Sequence, residues 1–559
     1  AKSVPISDQV RTVLGIAEGV HKMTPAELLK AIIGAPVDLF WNGGIGTYVK
    51  ASTETHSEIG DRANDSIRID GRDLRVKVVG EGGNLGLSQL GRIEAAWNGV
   101  HVNTDAVDNS AGVDTSDHEV NIKIALTPLV KSGELTLEQR DELLAEMTDE
   151  VAQKVLRHNY DQNVLIGNAR DQGGRMLSVH QRLIRYLVEH VGLDPALEFL
   201  PDDAELTERG EAGQGLTAPE FSVLMAYSKI GLKDDLLASQ LADEPAVKSL
   251  LLTYFPVPLR ERISEGLADH PLRRQIIINQ LANDIVNRGG VTFVFRAMEE
   301  TGATATQIAR AFVVCREVFD MAGYVKDIEA LDNHIPTDVQ TTLYLEFRRL
   351  LDRAVRWFLN NRSLSADMTE EIERFAEPVQ SLVPQMSELL QGEERARHYG
   401  YIEELTGVGV PQELALKYAG LLDVFSLLDV IEVAVDADRS YSETASVYFA
   451  VSESFGIDAL LTQVSHLPRE DRWSSLARGA VRDDMYGVMR ALTRAVMLAT
   501  DSEQDPMQRV DAWTTEQSEA MTRVSQVLNR VSDMHDPGLA PVSVALRTLR
   551  GLVRQGTAG

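Results

Sequence analysis

Two polar, glycine-punctuated segments hold the residue types in this chain best suited to grip a flat polar ligand. The first is EGGN at residues 81–84, and the second is DNSAGVDTS at residues 108–116. Glycine lets a backbone approach a planar ring closely. Asn84 and Asn109 each carry an amide that donates and accepts hydrogen bonds, which suits a ribose or a carboxamide. Ser116 adds a hydroxyl able to donate to a carboxylate. A further loop, Gly43-Gly44-Ile45-Gly46, resembles part of a dinucleotide fingerprint, but no third glycine opening a helix follows it, so alone it reads as a simple turn. A single asparagine at such a place is most simply a turn residue in left-handed geometry. Two of them, each after an apolar strand, favour binding.

These residues need strands to aim them. Residues 37–41 form a short apolar strand running into Asn42 and the glycine loop. Ile67 and Ile69, then Leu74, Val76 and Val78, alternate around Asp70-Gly71, which predicts a β-hairpin. The second of these strands ends at EGGN. Ser88 caps a helix carrying Leu90, Ile93 and Trp97, which Asn98-Gly99 stops, and Val100 and Val102 begin another strand. Strands and helices alternating at this interval predict parallel βα units, whose ligands bind outside the strands' carboxyl ends. On this pattern residues 108–116 form the turn after the last strand.

Beyond residue 126 strand signals fade. Thr136/Gln139, Thr217/Glu220 and Thr304/Gln307 are capping boxes, as is Thr24/Glu27 before Pro25 near the start. Leu144, Met147, Val151, Val155 and Leu156 predict one continuous helix face. The expected fold class is α/β followed by mostly α: the C-terminal part of a Rossmann-like parallel-sheet domain at 1–126 and a large all-helical domain at 127–559. The polar stretch 201–215 is the expected split into two helical subdomains. Asp536-Pro537-Gly538 should break the chain before a last helix at 542–554.

The net charge of −29 over 559 residues argues against nucleic acid, which needs clustered Lys and Arg, and disfavours anionic membranes. No apolar run reaches the length of a membrane span. Cys315 is the one cysteine; it lies on the series Ile308, Phe312, Phe319, so it reads as a core thiol in a reducing, cytoplasmic protein. No two histidines stand three or four residues apart and no cysteine pair exists, so no metal site is expected. The chain opens on Ala1 rather than Met and reads as a fragment of something longer.

The spacing of the two turns resembles the glutamate dehydrogenases. That family carries an EGAN turn, a helix, a strand ending in PD, then NAGGV followed by a serine and a glutamate. Here residues 81–84 take the first position, Asp105 the aspartate, residues 109–113 the third, and Ser116 and Glu119 the last two, without insertions. Residues 38–44 resemble the family's strand and loop beside the nicotinamide ribose. Gly83 departs from the family's Ala, Ser110-Ala111 from Ala-Gly, and Val120 from Trp, and the Asp70-Gly71 hairpin is extra. Those departures and the long helical sequence resemble the large-subunit, NAD-specific bacterial class, which is tetrameric.

The resemblance implies that Asn84 and Asn109 flank the nicotinamide end of NAD, that Gly43 and Gly44 form the adjoining loop, and that Ser116 holds the side-chain carboxylate of glutamate or 2-oxoglutarate. The family's catalytic lysine and aspartate, and its phosphate loop, have no match here and are expected upstream, so no catalytic residue is assigned and the chain alone is expected to be inactive. Two other readings stay open: a leucine-, valine- or phenylalanine-type dehydrogenase, for which Ser116 is the wrong residue type, and a non-catalytic helical scaffold.

Overall fold

The computed structural model describes residues 2–363, 367–467, 471–501, 504–534 and 538–556. They form two compact units, Ala1–Phe295 and Arg296–Gly559.

The first unit opens with a small antiparallel pair, β1 (Val4–Pro5) and β2 (Lys22–Met23), with helix α1 (Asp8–Leu14) between them. Helix α2 (Pro25–Ile33) starts as its sequence predicts: Thr24 and Glu27 cap each other's backbone N–H groups, and Gly34 ends it. Two parallel pairs follow. β3 (Leu39–Asn42) lies beside β6 (Val78–Glu81) with Asn42 opposite Glu81, and β4 (Val49–Lys50) lies beside β5 (Ile69–Asp70). His101 bridges in parallel to Val78 on the other side of β6, and Leu87 bridges to Val49. Val49, Ile69, Val76, Val79, Leu87, Ala95 and Val102 form the core beneath these strands. α3 (His56–Ile59) lies between β4 and β5, and α4 (Gln89–Trp97), capped by Ser88 and ended at Asn98, follows β6.

Several elements differ from the sequence reading. Asp70-Gly71 makes no hairpin: β5 pairs in parallel with β4, and Gly71–Asp73 is a turn of 3-10 helix. Gly71 is pressed against α4, where a Cβ would stand 2.5 Å from the Gly91 carbonyl. That close approach, not a tight turn, uses this glycine. Residues 108–116 are not a turn either. They run through the end of α5 (Asp105–Asp108), the junction residue Asn109 and the start of a 23-residue helix, α6 (Ser110–Ser132). The predicted continuous helix at 144–156 is two helices, α7 (Leu137–Glu146) and α8 (Thr148–Asp171), joined at the buried Met147, and Leu156 is exposed.

α9 (Leu177–His190) follows. The expected linker at 201–215 contains α10 (Asp203–Glu211), held by a buried contact from Arg209 to Glu220 at 2.9 Å. α11 (Ala218–Leu237) and α12 (Pro245–Tyr254) continue the first unit. The texture change at 126/127 falls inside α6, while the two compact units divide at Phe295/Arg296.

The second unit is helical throughout its described residues. Its core includes edge-to-face rings of Trp357, Phe358 and Phe375 with centroids 5.2–5.6 Å apart. Cys315 is fully buried, as its helical series predicts, and burial pushes its thiol up. Asp536 and Pro537 lie outside the described residues; the last helix is Leu539–Gly556. No described helix is long and apolar enough to cross a membrane.

Candidate functional site

β3 and β6 run in the same direction and end level, so the loops that leave them emerge side by side. Asn42 fastens the two together: its carbonyl accepts from Gly82 N at 2.8 Å and from Gly83 N at 3.1 Å. Gly83 also touches the first loop directly. A Cβ there would lie 2.5 Å from the carbonyl oxygen of Gly44, a separation only glycine tolerates. Beyond this contact Gly43 and Gly44 are exposed, and the loop they open is tied at its far end. Thr47 donates its N–H to Asp61 at 2.9 Å, and the buried Arg68 donates to the Thr47 carbonyl at 2.8 Å. The side-chain bond from Asn64 pulls the Asp61 carboxyl below its ordinary range.

The second asparagine arrives from the other side. Asn109 Nδ2 donates to Asn84 Oδ1 at 2.8 Å, joining the EGGN turn to the α5–α6 junction. The residues that align this meeting are charged, and two of them, Glu81 and Arg92, are buried. Glu81 receives two bonds from Arg92, at 2.7 and 2.9 Å, and one from Leu87 N at 3.0 Å. Arg92 also reaches Asp105 at 3.1 Å, and Asp105 accepts the Leu85 N–H at 2.8 Å. Asp108 accepts the Glu81 N–H at 3.0 Å. Burial pushes the Glu81 and Asp108 carboxyls up; Arg92 opposes that push at both. The network holds Leu85 at a φ of 56°, uncommon for a branched side chain.

α8 supplies the last supports. Asn159 donates to the Val107 carbonyl at 2.8 Å and to Ser110 at 3.1 Å, and Asn163 accepts from Asn103 at 2.8 Å.

Four of the five predicted residues therefore gather at one edge: Gly43, Gly44, Asn84 and Asn109. Ser116 is set apart from their contacts. It lies exposed in the second turn of α6, and its hydroxyl donates back to the Val113 carbonyl at 2.8 Å. The sequence reading missed Arg92, Asp108 and Asn159. Arg92 left one signal, a cation next to Ile93 on the face of α4 that carries the helix's apolar residues. Asp108 and Asn159 left none, because their partners are 27 and 49–52 residues distant in the chain.

Parallel strands ending level in backbone-exposing glycine turns, followed by a long helical sequence, define a protein of mixed and mainly helical class. The comparisons with known proteins identify which. The chain belongs to the glutamate dehydrogenase family: the family described as "Glutamate dehydrogenase, C-terminal" matches residues 213–551, and "Bacterial NAD-glutamate dehydrogenase, catalytic domain" matches residues 1–169. It is 44% identical, over its whole length, to the NAD-specific glutamate dehydrogenase of Mycobacterium tuberculosis. It is 41% identical, again throughout, to the enzymes of that name from Pseudomonas aeruginosa and Halomonas elongata. The chain spans 34% of the length of each of these relatives.

Proposed function

We propose that the protein to which these residues belong oxidatively deaminates L-glutamate to 2-oxoglutarate and ammonia, with NAD as hydride acceptor. The observation that carries this reading is the Asn84–Asn109 hydrogen bond beside the Gly43-Gly44 loop, at the carboxyl ends of two parallel strands. Residues 1–126 then act as the closing part of a Rossmann-like cofactor domain and supply the wall along the nicotinamide end. The amides orient the carboxamide and ribose, while the exposed glycines let the ring lie against backbone. NAD supplies the hydride chemistry and these residues position it.

Ser116 is the proposed contact to the substrate's side-chain carboxylate. Its hydroxyl must turn away from Val113 to reach it. The family's catalytic lysine has no counterpart in these residues, so this span alone is expected to show no turnover. The large class's tetramer is the assembly we propose, and the cytoplasm, consistent with the lone buried thiol, the compartment.

Two measurements test the reading. In the full-length protein, Ser116→Val should raise the glutamate KM at least about tenfold, since a lost hydrogen bond to a carboxylate costs roughly 1.5–3 kcal/mol. An unchanged KM removes Ser116 from the substrate site. Titration with NADH, followed by nicotinamide fluorescence, should saturate; no binding would leave the helical scaffold as the better description.

A further inference from the structure

One group in the first unit is buried without the partners its chemistry demands. His118, on α6, is fully buried, and neither ring nitrogen has a hydrogen-bond partner. A neutral imidazole holds one N–H and one lone pair, and leaving a buried polar atom unmet is destabilising. Its ring is nonetheless fixed in place. Tyr254 of α12 stacks on it at 4.3 Å, and the Tyr254 hydroxyl accepts from Asn121 at 2.9 Å. Something at the open lone pair would account for this arrangement.

Two metal-ligating side chains stand around it. Asp114, one helical turn earlier on α6, brings Oδ1 to 3.7 Å from His118 Nε2. His158, from α8, brings Nδ1 to 2.7 Å from the other oxygen of Asp114. The two imidazoles are nearly parallel, 16° apart with centroids at 5.9 Å. One ligand atom from each of the three residues lies within 4.8 Å of the others. We propose that Asp114, His118 and His158 form a binding site for a divalent transition ion of the zinc type, clamping α6 to α8.

The donor set fits that ion. Two imidazoles and one carboxylate are the borderline ligands that zinc and its neighbours prefer, and three protein ligands leave the fourth tetrahedral position open. Bonds near 2.0–2.1 Å place ligand atoms about 3.3 Å apart, so the widest separation must close by roughly 1.5 Å. His158, which is partly exposed, is the group free to swing. The partial exposure of Asp114 and His158 gives an entry path. Lys154 is the nearby opposing charge, and it is engaged elsewhere: it donates to the Thr253 carbonyl at 2.7 Å and faces Glu150 at 3.6 Å.

Spacing along the chain does not reveal this site. The pair at helical spacing is Asp114 with His118, and the third ligand comes from another helix. The site is independent of the dehydrogenase reading.

The test uses the full-length protein, stripped with EDTA and titrated with cobalt(II) as a spectroscopic probe, then with zinc(II) to displace it. The expected result is a tetrahedral cobalt spectrum with a component of one ion per chain. That component should weaken at least about tenfold in Asp114→Asn and in His158→Gln. Both replace partly exposed residues, and unchanged circular dichroism shows that each variant is folded. Zinc should also raise the melting temperature of the wild type but not of the variants. A wild type that binds neither ion overturns the proposal and leaves a water molecule at His118; a spectrum unchanged in both variants overturns it by placing the ion elsewhere.

Discussion

Glu81 and Glu220 in the first unit and Glu394 in the second are buried carboxylates met by different partners. In the first, Glu81 and Glu220 have no exposed surface, and each is met by a guanidinium: Arg92 through two bonds, and Arg209 at 2.9 Å. In the second, Glu394 is buried with one bond, from the Ser452 hydroxyl at 2.7 Å, and its other oxygen has no partner. Burial pushes it up to about 8, with Asp423 and Asp458 adding like charge nearby. Asp423 and Asp429 are pushed up to about 6, chiefly by burial, although Arg397 and Arg490 each stand 3.3 Å from them. Glu81, locked by Arg92 and bonded to Leu87 N, therefore sets backbone position where the turns meet, even though burial pushes its carboxyl up. Glu394, which has no such partner, stands instead as a titratable group inside a helical core. Shape at the candidate site is held by ion pairs, whereas the stability of the helical unit is open to pH.

The largest expected effect comes from removing a matched cation. Arg92→Met keeps the stem and deletes the charge, leaving Glu81 and Asp105 without it. Breaking a buried pair from one side costs about 3–5 kcal/mol. Hydrogen exchange should show peptides across β6 and α5 losing protection, while those of the second unit stay unchanged. Uniform loss in both units, or none, would break the contrast.

The next effect belongs to the second unit. The folded Glu394 carboxyl sits at about 8 against an ordinary 4.5, so between those values the folded state keeps a proton that the unfolded chain has released. Its contribution is complete below the lower value and is lost as pH rises through the upper one. Each pH unit inside that window is worth up to about 1.4 kcal/mol, and 1 kcal/mol moves a unit of this size by roughly 2–4 °C. Melting of the second unit should fall by at least about 4 °C between about pH 5 and pH 8, and Glu394→Gln, which keeps an acceptor for Ser452, should flatten that fall. A variant as steep as the wild type would assign the slope to Asp423 and Asp429 instead.

What the sequence made legible follows the reach of each interaction. Caps at Thr24, Thr136, Thr217 and Thr304 were readable because both partners lie three residues apart, and each formed. The strand-end loops were readable because glycine and asparagine mark them locally. Local reading also misled. Asp70-Gly71 has the composition of a hairpin, but its glycine serves contact with α4, which no pattern around residue 70 announces. The segment at 108–116 holds turn residues, yet Asn159 and His158 from α8 bond Ser110 and Asp114 on one side of it and support a helix. The lock of Glu81, Arg92, Asp105 and Asp108 is spread over 27 residues with no period, so only the folded chain reveals it.

The smallest predicted effect asks whether charge alone sets the geometry of the first unit. The glutamate dehydrogenase pattern has alanine where this chain has Gly83, and alanine here would bring a Cβ to 2.5 Å from the Gly44 carbonyl oxygen. Backbone cannot swing aside as a side chain can, so the Gly43-Gly44 loop must move away while the Glu81–Arg92 pair stays intact. Gly83→Ala should therefore leave the fold and its hydrogen-exchange protection unchanged and weaken NADH binding by about tenfold, the equivalent of roughly 1.4 kcal/mol. If affinity holds, the loop has slack and the ion pair alone defines this edge. If affinity falls while protection holds, precision at the nicotinamide wall rests on two layers, a buried charge pair beneath and a backbone contact above.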